Sequence, residues 1–411
     1  MRVLMFGWEF PPYQAGGLAT ATVGLVKGLL RIGIEVTLVV PFPVGETPIA
    51  GLRLLGADGH SPHLTVHRVA SPLTPYGGAQ EYHEVFARTP GAGPARPVYG
   101  TDLFAEVERF AGLAGEIAAR EPHDVIDAHD WIAFAAGLRA REVSGKPLVA
   151  HIHAIEFDRT GGDGHPEIAR REHDGLMAAD RVVSNSYRLR DLCVERYQIE
   201  PGKFDVVHWG IDDELGGQDV AIGTSPLGPE TPVVLFLGRV TSQKGPDYFL
   251  AMAAKVAGYV PQAHFVVAGN GDMLASLIHR SAELGIADRV HFTGGLAGAD
   301  LERVYRMADV CVMPSRSEPF GLVALESLQN GTPCIIPKNA GVAEVVQNAL
   351  KVDPWDVDEM TNKVVAILKY PGLRDELSER GRHEVSLPRF ALDEPARMTG
   401  ASYRHAVTMS A

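Results

Sequence analysis

The order of apolar runs constrains this chain more than any single motif. Strand-like and helix-like patterns alternate from residue 2 to about 370, and one stretch, 213–232, interrupts them. In the first half the pattern predicts strands at 2–6, 35–40, 125–128, 148–152, 181–184 and 205–208. Helices are predicted over 18–32, 102–120, 132–144, 167–178 and 186–197. The interval 41–97 is rich in Gly and Pro and poorly periodic, and reads as weak strands plus a surface excursion. After the interruption come strands at 233–237, 264–268, 290–292, 310–313 and 334–336, with helices over 246–256, 273–283, 299–307, 343–348 and 357–368. A polar, helical stretch over 391–407 follows. Strands that are apolar on both faces, each followed by a helix, call for a parallel sheet covered on both sides. The fold expected is α/β: two tandem doubly wound, Rossmann-like domains facing a central cleft. The first is 1–212, with a C-terminal helix at about 388–411 packing back on it, and the second is 213–387. The interruption, DELGGQDVAIGTSPLGPETP, has linker composition.

Composition narrows the function. Lys and Arg number 38 against 51 Asp and Glu, a formal charge of −13. That balance argues against general binding to nucleic acid or to an anionic membrane. It also means that an anionic ligand needs a local basic pocket. The opening MRVLMFGWEFPP has the form of neither a secretory signal nor a membrane span, and no apolar run approaches the ~18 residues that a span requires. Cys193, Cys311 and Cys334 are far apart and form no CxxC, as expected of buried free thiols in a reducing compartment. A cytoplasmic location is expected.

Four local patterns carry chemistry. Gly16 and Gly17 sit between the first strand and the first helix, where glycine lets backbone approach a ligand and helical N–H groups face an anion. A tight structural turn explains them equally well. In FLGRVTSQKGPDYFL, Gly238, Arg239 and Lys244 follow a buried strand and precede a helix whose first residue is Pro246. Opposite charges near 4 Å interact by roughly 4 kcal/mol at an intermediate dielectric. Two such cations suit a diphosphate, the alternative being solvated surface cations. Asp127, His129 and Asp130 end one strand, and His151 and His153 end the next. The two histidines share a strand face, no third metal ligand stands at a diagnostic spacing, and strand-end His and Asp suit a polyol. No metal site is expected. Glu318 and Glu326 stand eight residues apart in SRSEPFGLVALESLQNGTP, the first in a loop and the second in the helix after it. Leu322, Leu325 and Leu328 mark that helix's core row, and Glu326 is expected to look toward the crevice edge. Carboxylates at a helix N-terminus repel phosphate and suit hydroxyl groups, so the ligand carries both a phosphate and a polyol. A P-loop and a nucleophile elbow are both missing.

In this order and spacing, FLGRVTSQKG, VVAGNGD, ADVCVMPSRSEPFGLVALES and GTPCIIPKNAGVAEVV resemble the retaining GT-B glycosyltransferases, particularly the glycogen/starch synthase-like branch. In the first half PPYQAGGLA, DAHDW, HIHA and SNSY resemble the family's equivalents. The resemblance implies a metal-independent hexosyltransferase that uses a nucleotide sugar, ADP- or UDP-glucose, as co-substrate, with no cofactor. Arg239 and Lys244 would hold the diphosphate and Glu326 the ribose, with Glu318 and the N–H groups of Phe320 and Gly321 on the transferred sugar. Gly16, Gly17, Gly238, Gly271 and Leu322 would complete the donor site. His153 would sit at the reacting face, and Glu9, His129 and Asp130 on the acceptor side. The linker and the C-terminal segment would act as hinges. Three positions depart from the pattern: Gln14-Ala15 before the glycine pair, Trp209 at the linker and Phe390 before the last helix. The WEFPP start and KVDPWDVDEM tilt the acceptor toward an α-glucan or maltooligosaccharide. The alternatives are envelope polysaccharide or glycoconjugate synthesis, a sugar-nucleotide 2-epimerase, and an inactive glucan-binding relative. Oligomeric state is not legible.

Overall fold

The computed structural model describes residues 1–10, 17–41, 49–57, 103–162, 164–212, 228 and 231–410. Gly16, most of the 213–232 linker and most of 41–100 therefore lie outside the described residues. The chain divides into two units. Unit 1 comprises Met1–Asn185, Leu189–Val207 and Leu392–Ala411, and unit 2 comprises Ser186–Arg188 and His208–Ala391. Apart from Ser186–Arg188, the chain changes unit at Val207/His208 and returns at Ala391/Leu392.

Unit 1 is a seven-stranded, all-parallel sheet. Its strands are β1 (Arg2–Phe6), β2 (Glu35–Val40), β3 (Arg53–Gly56), β4 (Val125–His129), β5 (Leu148–Ile152), β6 (Arg181–Ser184) and β7 (Phe204–Val206). They lie in the order β3-β2-β1-β4-β5-β6-β7, so the winding reverses between β1 and β4. The helices are α1 (Gly17–Arg31), α2 (Leu103–Arg120), α3 (Trp131–Ser144), α4 (Glu156–Thr160), α5 (Pro166–Ala178) and α6 (Tyr187–Tyr197). Side chains alternate between two cores, as a period of two requires. Leu4, Phe6, Ile126, Ala128 and Ala150 pack with residues of α2 and α3. Val3, Met5, Val125 and Val149 pack on the other face with α1.

Unit 2 repeats the plan with β8 (Val233–Leu237), β9 (His264–Ala268), β10 (Val290–Gly294), β11 (Val310–Val312), β12 (Cys334–Pro337) and β13 (Leu350–Val352). Their order is β10-β9-β8-β11-β12-β13, reversing between β8 and β11. The helices are α7 (Pro246–Tyr259), α8 (Leu274–Glu283), α9 (Gly298–Met307), α10 (Leu322–Gln329), α11 (Val357–Lys369) and α12 (Pro371–Val385). The last helix, α13 (Asp393–Met409), belongs to unit 1. Its Ala396, Tyr403 and Ala406 join the core beneath α1. Cys193, Cys311 and Cys334 are buried free thiols.

The helix predicted over 343–348 is not formed. A single 3-10 turn, Gly341–Glu344, stands there, and β13 follows. With strand-forming residues on both sides of the turn, the chain serves the sheet edge rather than a helix. Helix α12 was not foreseen because PGLRDELSERGRHEV carries almost no apolar stripe, and only Gly381, Glu384 and Val385 of it are buried.

Candidate functional site

In a doubly wound sheet, ligands bind beyond the carboxyl ends of the strands where the winding reverses. In unit 2 that point lies between β8 and β11. The chain leaving β8 passes Gly238 and Arg239, makes a 3-10 turn at Ser242–Lys244, and enters α7 through Gly245. Gly245 has φ +67°, and a Cβ there would stand 2.1 Å from the Pro314 carbonyl oxygen, so only glycine lets this turn close onto the end of β11. Arg316 ties the two loops together. Its N–H donates to Gln243 O (2.9 Å) and its guanidinium pairs with Asp247 while lying 4.2 Å from the Tyr248 ring centroid. Neither contact was read from the sequence, although Arg316 stands inside the motif.

This closure joins two residues placed 74 apart. Lys244 Nζ donates to Glu318 Oε2 at 2.7 Å, and Ser315 Oγ donates to the same oxygen at 3.0 Å. Glu318 is only 6% exposed. Its other oxygen has no hydrogen-bond partner among the described residues. Beyond it, Gly321 (φ +111°) turns the chain into α10, and its Cβ position would crowd Met313 Cε at 2.9 Å. No described residue accepts from the N–H groups of Phe320, Gly321, Leu322 or Val323. Orphan donors of this kind attract anions and oxygen ligands. Phe320 is buried with its ring centroid 5.5 Å from that of Trp209, so the linker Trp packs on the motif itself. Phe390 is also buried, and its carbonyl accepts from Ile211 N–H.

Glu326 lies on α10, and its Oε2 accepts from Tyr305 O–H at 2.7 Å. Burial pushes the Glu326 carboxyl above its ordinary pKa, and burial beside Glu326 pushes the Tyr305 hydroxyl well up. Tyr305 therefore keeps its proton and donates, and the other Glu326 oxygen has no partner among the described residues. Arg239 Nη2 donates to Gln243 Oε1 at 3.1 Å. Gly238 and Gly271 pack near the same strand ends; a Cβ on Gly271 would meet Val240 O at 2.2 Å. Unit 2 thus gathers Gly238, Arg239, Lys244, Glu318, Phe320, Gly321, Leu322 and Glu326 on the loops and helix of one switch point, with Gly271 on the neighbouring β9 loop.

In unit 1 the switch lies between β1 and β4. Glu9 is buried, and Gly17 opens α1 with no atom of the described residues within 4 Å of where a Cβ would stand. Asp130 caps α3 at φ 60°, ψ 170°, a region that non-glycine residues occupy only when their surroundings force it. Its N–H donates to His151 O (2.8 Å), its carbonyl accepts from Ala133 and Phe134, and its Oδ1 accepts from His153 N–H (2.8 Å). Asp130 is 0% exposed, and its Oδ1 braces the His153 backbone. His129 (1% exposed) is likewise enclosed. The shared face expected of His151 and His153 is present, the rings lying parallel within 9°.

The expectation that no third ligand-type group converges is corrected. Asp127, His129 and His151 bring their polar atoms within 4.8 Å of one another. Strand register is the reason, since His129 pairs His151 on the neighbouring strand and Asp127 lies two residues back on the same face. Each of these side chains is hydrogen-bonded within the chain, Asp127 to His129, His151 and Tyr403. The period-two spacing of Asp127 and His129 was the signal that could have placed Asp127 here.

A pair of Rossmann-like units, one with cations, carboxylates and unpaired helix N–H groups at its switch point, fits the GT-B glycosyltransferase architecture that the sequence resembles. Comparison with known proteins agrees. Residues 221–384 match the model for "Glycosyl transferases group 1", and residues 15–215 match "Glycosyltransferase Family 4". A D-inositol 3-phosphate glycosyltransferase of Mycobacterium sp. is 32% identical over 347 residues, covering 79% of this chain and 73% of that one. Sucrose-phosphate synthase from Thermosynechococcus elongatus superimposes with a TM-score of 0.77 at 22% identity, covering 99% of both chains. The catalytic domain of Starch Synthase IV from Arabidopsis thaliana, bound to ADP and acarbose, gives 0.72 at 16% identity, again over 99% of both. The chain belongs to the group 1 glycosyltransferases and is a glycosyltransferase that uses a nucleotide sugar. Among the described residues no helix is long and apolar enough to cross a membrane.

Proposed function

We propose that the protein is a retaining, metal-independent hexosyltransferase. It takes glucose from ADP- or UDP-glucose to a hydroxyl of a carbohydrate acceptor, an α-glucan or maltooligosaccharide. The observation that carries this reading is the Lys244–Glu318 pair, 2.7 Å apart, at the head of the unpaired N–H groups of α10. A cation suited to a diphosphate and a carboxylate suited to sugar hydroxyls stand side by side there. The ADP and acarbose in the name of the starch synthase support a glucan reading.

When the donor binds, Lys244 exchanges Glu318 for a phosphate oxygen, and Glu318 is released to accept from sugar hydroxyls. Arg239 joins Lys244 on the diphosphate, while the Phe320 and Gly321 N–H groups orient the hexose. In the reaction, the bond from the anomeric carbon to the β-phosphate oxygen breaks as negative charge grows on the phosphate. Fixed cations and N–H dipoles oppose that charge, the role that a metal ion fills elsewhere. The acceptor oxygen attacks on the face the nucleotide leaves, and its proton passes to the departing phosphate. Glu326 holds the ribose through the oxygen that Tyr305 leaves open.

A donor screen of ADP-, UDP- and GDP-sugars against maltooligosaccharide, glycogen, simple-sugar and lipid acceptors tests the reading. Turnover only with a non-glucan acceptor overturns the glucan assignment. Loss of activity with a chelator, or an inverted anomeric product, overturns the metal-independent or retaining mechanism. A second acceptor class follows from the name of the mycobacterial relative, a phosphorylated polyol. Including D-inositol 3-phosphate in the screen separates the two.

A further inference from the structure

The loop that carries Glu318 is held by its carbonyl groups. Glu318 O accepts from Gly341 N–H at 3.1 Å, and Phe320 O accepts from Val342 N–H at 2.8 Å. Between them, Pro319 has its carbonyl bonded to a side chain instead. Ser186 Oγ donates to Pro319 O at 2.7 Å. Ser186 is 0% exposed, and the segment Ser186–Arg188 belongs to unit 2. The fit is close, since a Cβ on Gly341 would stand 2.1 Å from Pro319 O and 2.8 Å from Ser186 Cβ.

That segment is itself anchored. The Tyr187 and Arg188 N–H groups donate to the Glu344 carboxylate at 3.0 and 2.8 Å. His208 Nε2 lies 2.7 Å from Glu344 Oε2. Arg188 Nη2 donates to Ser317 Oγ at 2.8 Å, one residue before Glu318. Glu344 ends the same 3-10 turn, Gly341–Glu344, that supplies the Gly341 and Val342 donors. One turn thus grips the loop directly and, through Glu344, sets the place of Ser186.

Peptide planarity turns these contacts into directions for the N–H groups. In a trans peptide the carbonyl and the N–H that follows it point opposite ways. Pro319 O and Phe320 N–H share one peptide, so a carbonyl tied to Ser186 aims the Phe320 N–H away from Ser186. The Phe320 carbonyl, tied to Val342, aims the Gly321 N–H in the same manner. Pro319 adds stiffness, because its ring fixes φ and it has no N–H of its own. Both aimed N–H groups are among those from which no described residue accepts. Donors serve a reaction best when their direction is set in advance, because they then need not reorganise as charge develops.

We propose that Ser186 is a positioning residue for sugar transfer: its hydroxyl holds the Pro319–Phe320 peptide plane and so aims the Phe320 N–H at an oxygen of the transferred sugar. This rests on the reading that the Phe320 and Gly321 N–H groups orient that sugar. Ser186 acts through the peptide and not by contact with the ligand. Its loss frees the one peptide that a side chain holds, while the next peptide keeps its backbone partner, Val342 N–H.

The test uses the full chain labelled with 13C-carbonyl proline and 15N-phenylalanine, without ligand. Only Pro41–Phe42 and Pro319–Phe320 join these residue types, so two carbonyl–amide correlations arise, and Phe42→Leu removes the first. The Phe320 correlation should move in Ser186→Ala, because both of its nuclei belong to the peptide that loses its hydrogen bond. With the donor and acceptor that the wild type uses, kcat should fall by about 10–100-fold, the scale of a misplaced donor. Kd for ADP or UDP, measured by calorimetric titration, should stay within about twofold, because Arg239, Lys244 and Glu326 keep their places. A folded Ser186→Ala protein with an unmoved Phe320 correlation, or with unchanged kcat, overturns the proposal. So does a loss of nucleotide affinity as large as the loss of kcat, the mark of general damage to unit 2. If Ser186→Ala does not fold, Ser186→Cys keeps the volume with a weaker donor and should give the same changes in smaller measure. The spectrum needs no turnover. A wild type that transfers no sugar therefore counts against the proposed function, and the spectrum still decides whether Ser186 holds the peptide.

Discussion

Lys244 and Glu318 illustrate how one residue's value depends on its partner. The pair is mostly enclosed, with side chains 22% and 7% exposed. Removing one member of an enclosed pair leaves the other uncompensated, at a cost of about 3–5 kcal/mol if burial were complete. Lys244→Ala is expected to lower kcat by about 10²–10³-fold, the usual effect of losing one donor to a developing charge. Its thermal midpoint should also fall, as Glu318 is left with Ser315 alone. Unaltered transfer kinetics in a folded Lys244→Ala protein would remove Lys244 from the site. Glu326→Gln should behave differently. Its Oε1 can still accept from Tyr305, so stability should hardly move, while nucleotide-sugar KM rises by about tenfold, the worth of a charge-assisted bond. At this scale the sequence was most legible where a residue's chemistry depends on local order, as with Glu318 after a strand and Glu326 inside a helix. It was least legible where chemistry depends on a neighbouring strand, as with Asp127, or on a distant loop, as with Arg316 against Asp247.

Helices α4, α5 and α6 are joined by one buried carboxylate. Glu172 Oε2 accepts from Glu156 N–H at 2.8 Å and from the Tyr197 hydroxyl, and Oε1 accepts from Arg159. Arg159 also donates to Ala154 O at 3.0 Å, next to His153. Burial pushes the Glu172 carboxyl up to about 7, against the opposing pull of Arg159. The unfolded chain releases this proton near the ordinary glutamate value, so between about pH 4.5 and 7 the folded form binds more protons than the unfolded one. Stability from this group therefore falls as pH rises across that window and levels off above it, by about 3 kcal/mol as an upper bound. Urea unfolding at a series of pH values should show that slope in the wild type and a flatter one in Glu172→Gln; equal slopes would refute it. Packing at the α1–α13 contact is equally specific. A Cβ on Gly28 would stand 2.4 Å from Leu392 O, so Gly28→Ala should cost about 1–3 kcal/mol, read as a lower melting temperature. Long amphipathic helices such as α2 and α11 were legible from their stripes, whereas polar α12 and the three-residue β13 offered no periodicity to read.

At the scale of the molecule, the doubling of the α/β pattern was legible because strands such as β1, β2, β8 and β12 carry continuous apolar runs, which suit a parallel sheet covered on both faces. The return of the last helix to the first domain was expected, and α13 lies in unit 1, although its polar sequence did not say which residues it would pack on. Removing residues 392–411 is expected to abolish the cooperative melting of unit 1 while unit 2 still binds ADP or UDP, measured by calorimetric titration. Loss of both at once would mean that the units do not fold separately. The return of α13 also sets an order of events during synthesis. Residues 208–391 all leave the ribosome before Tyr403 does, and at ordinary elongation rates that interval lasts some tens of seconds. Until then the carboxylate of Asp127 lacks its tyrosine donor, and the apolar groove beside α1 stays open. Unit 2 can be finished first, although it comes second in the chain. Unit 1 waits as an incomplete nascent domain, the form in which a protein of this plan is most exposed to chaperones and to aggregation.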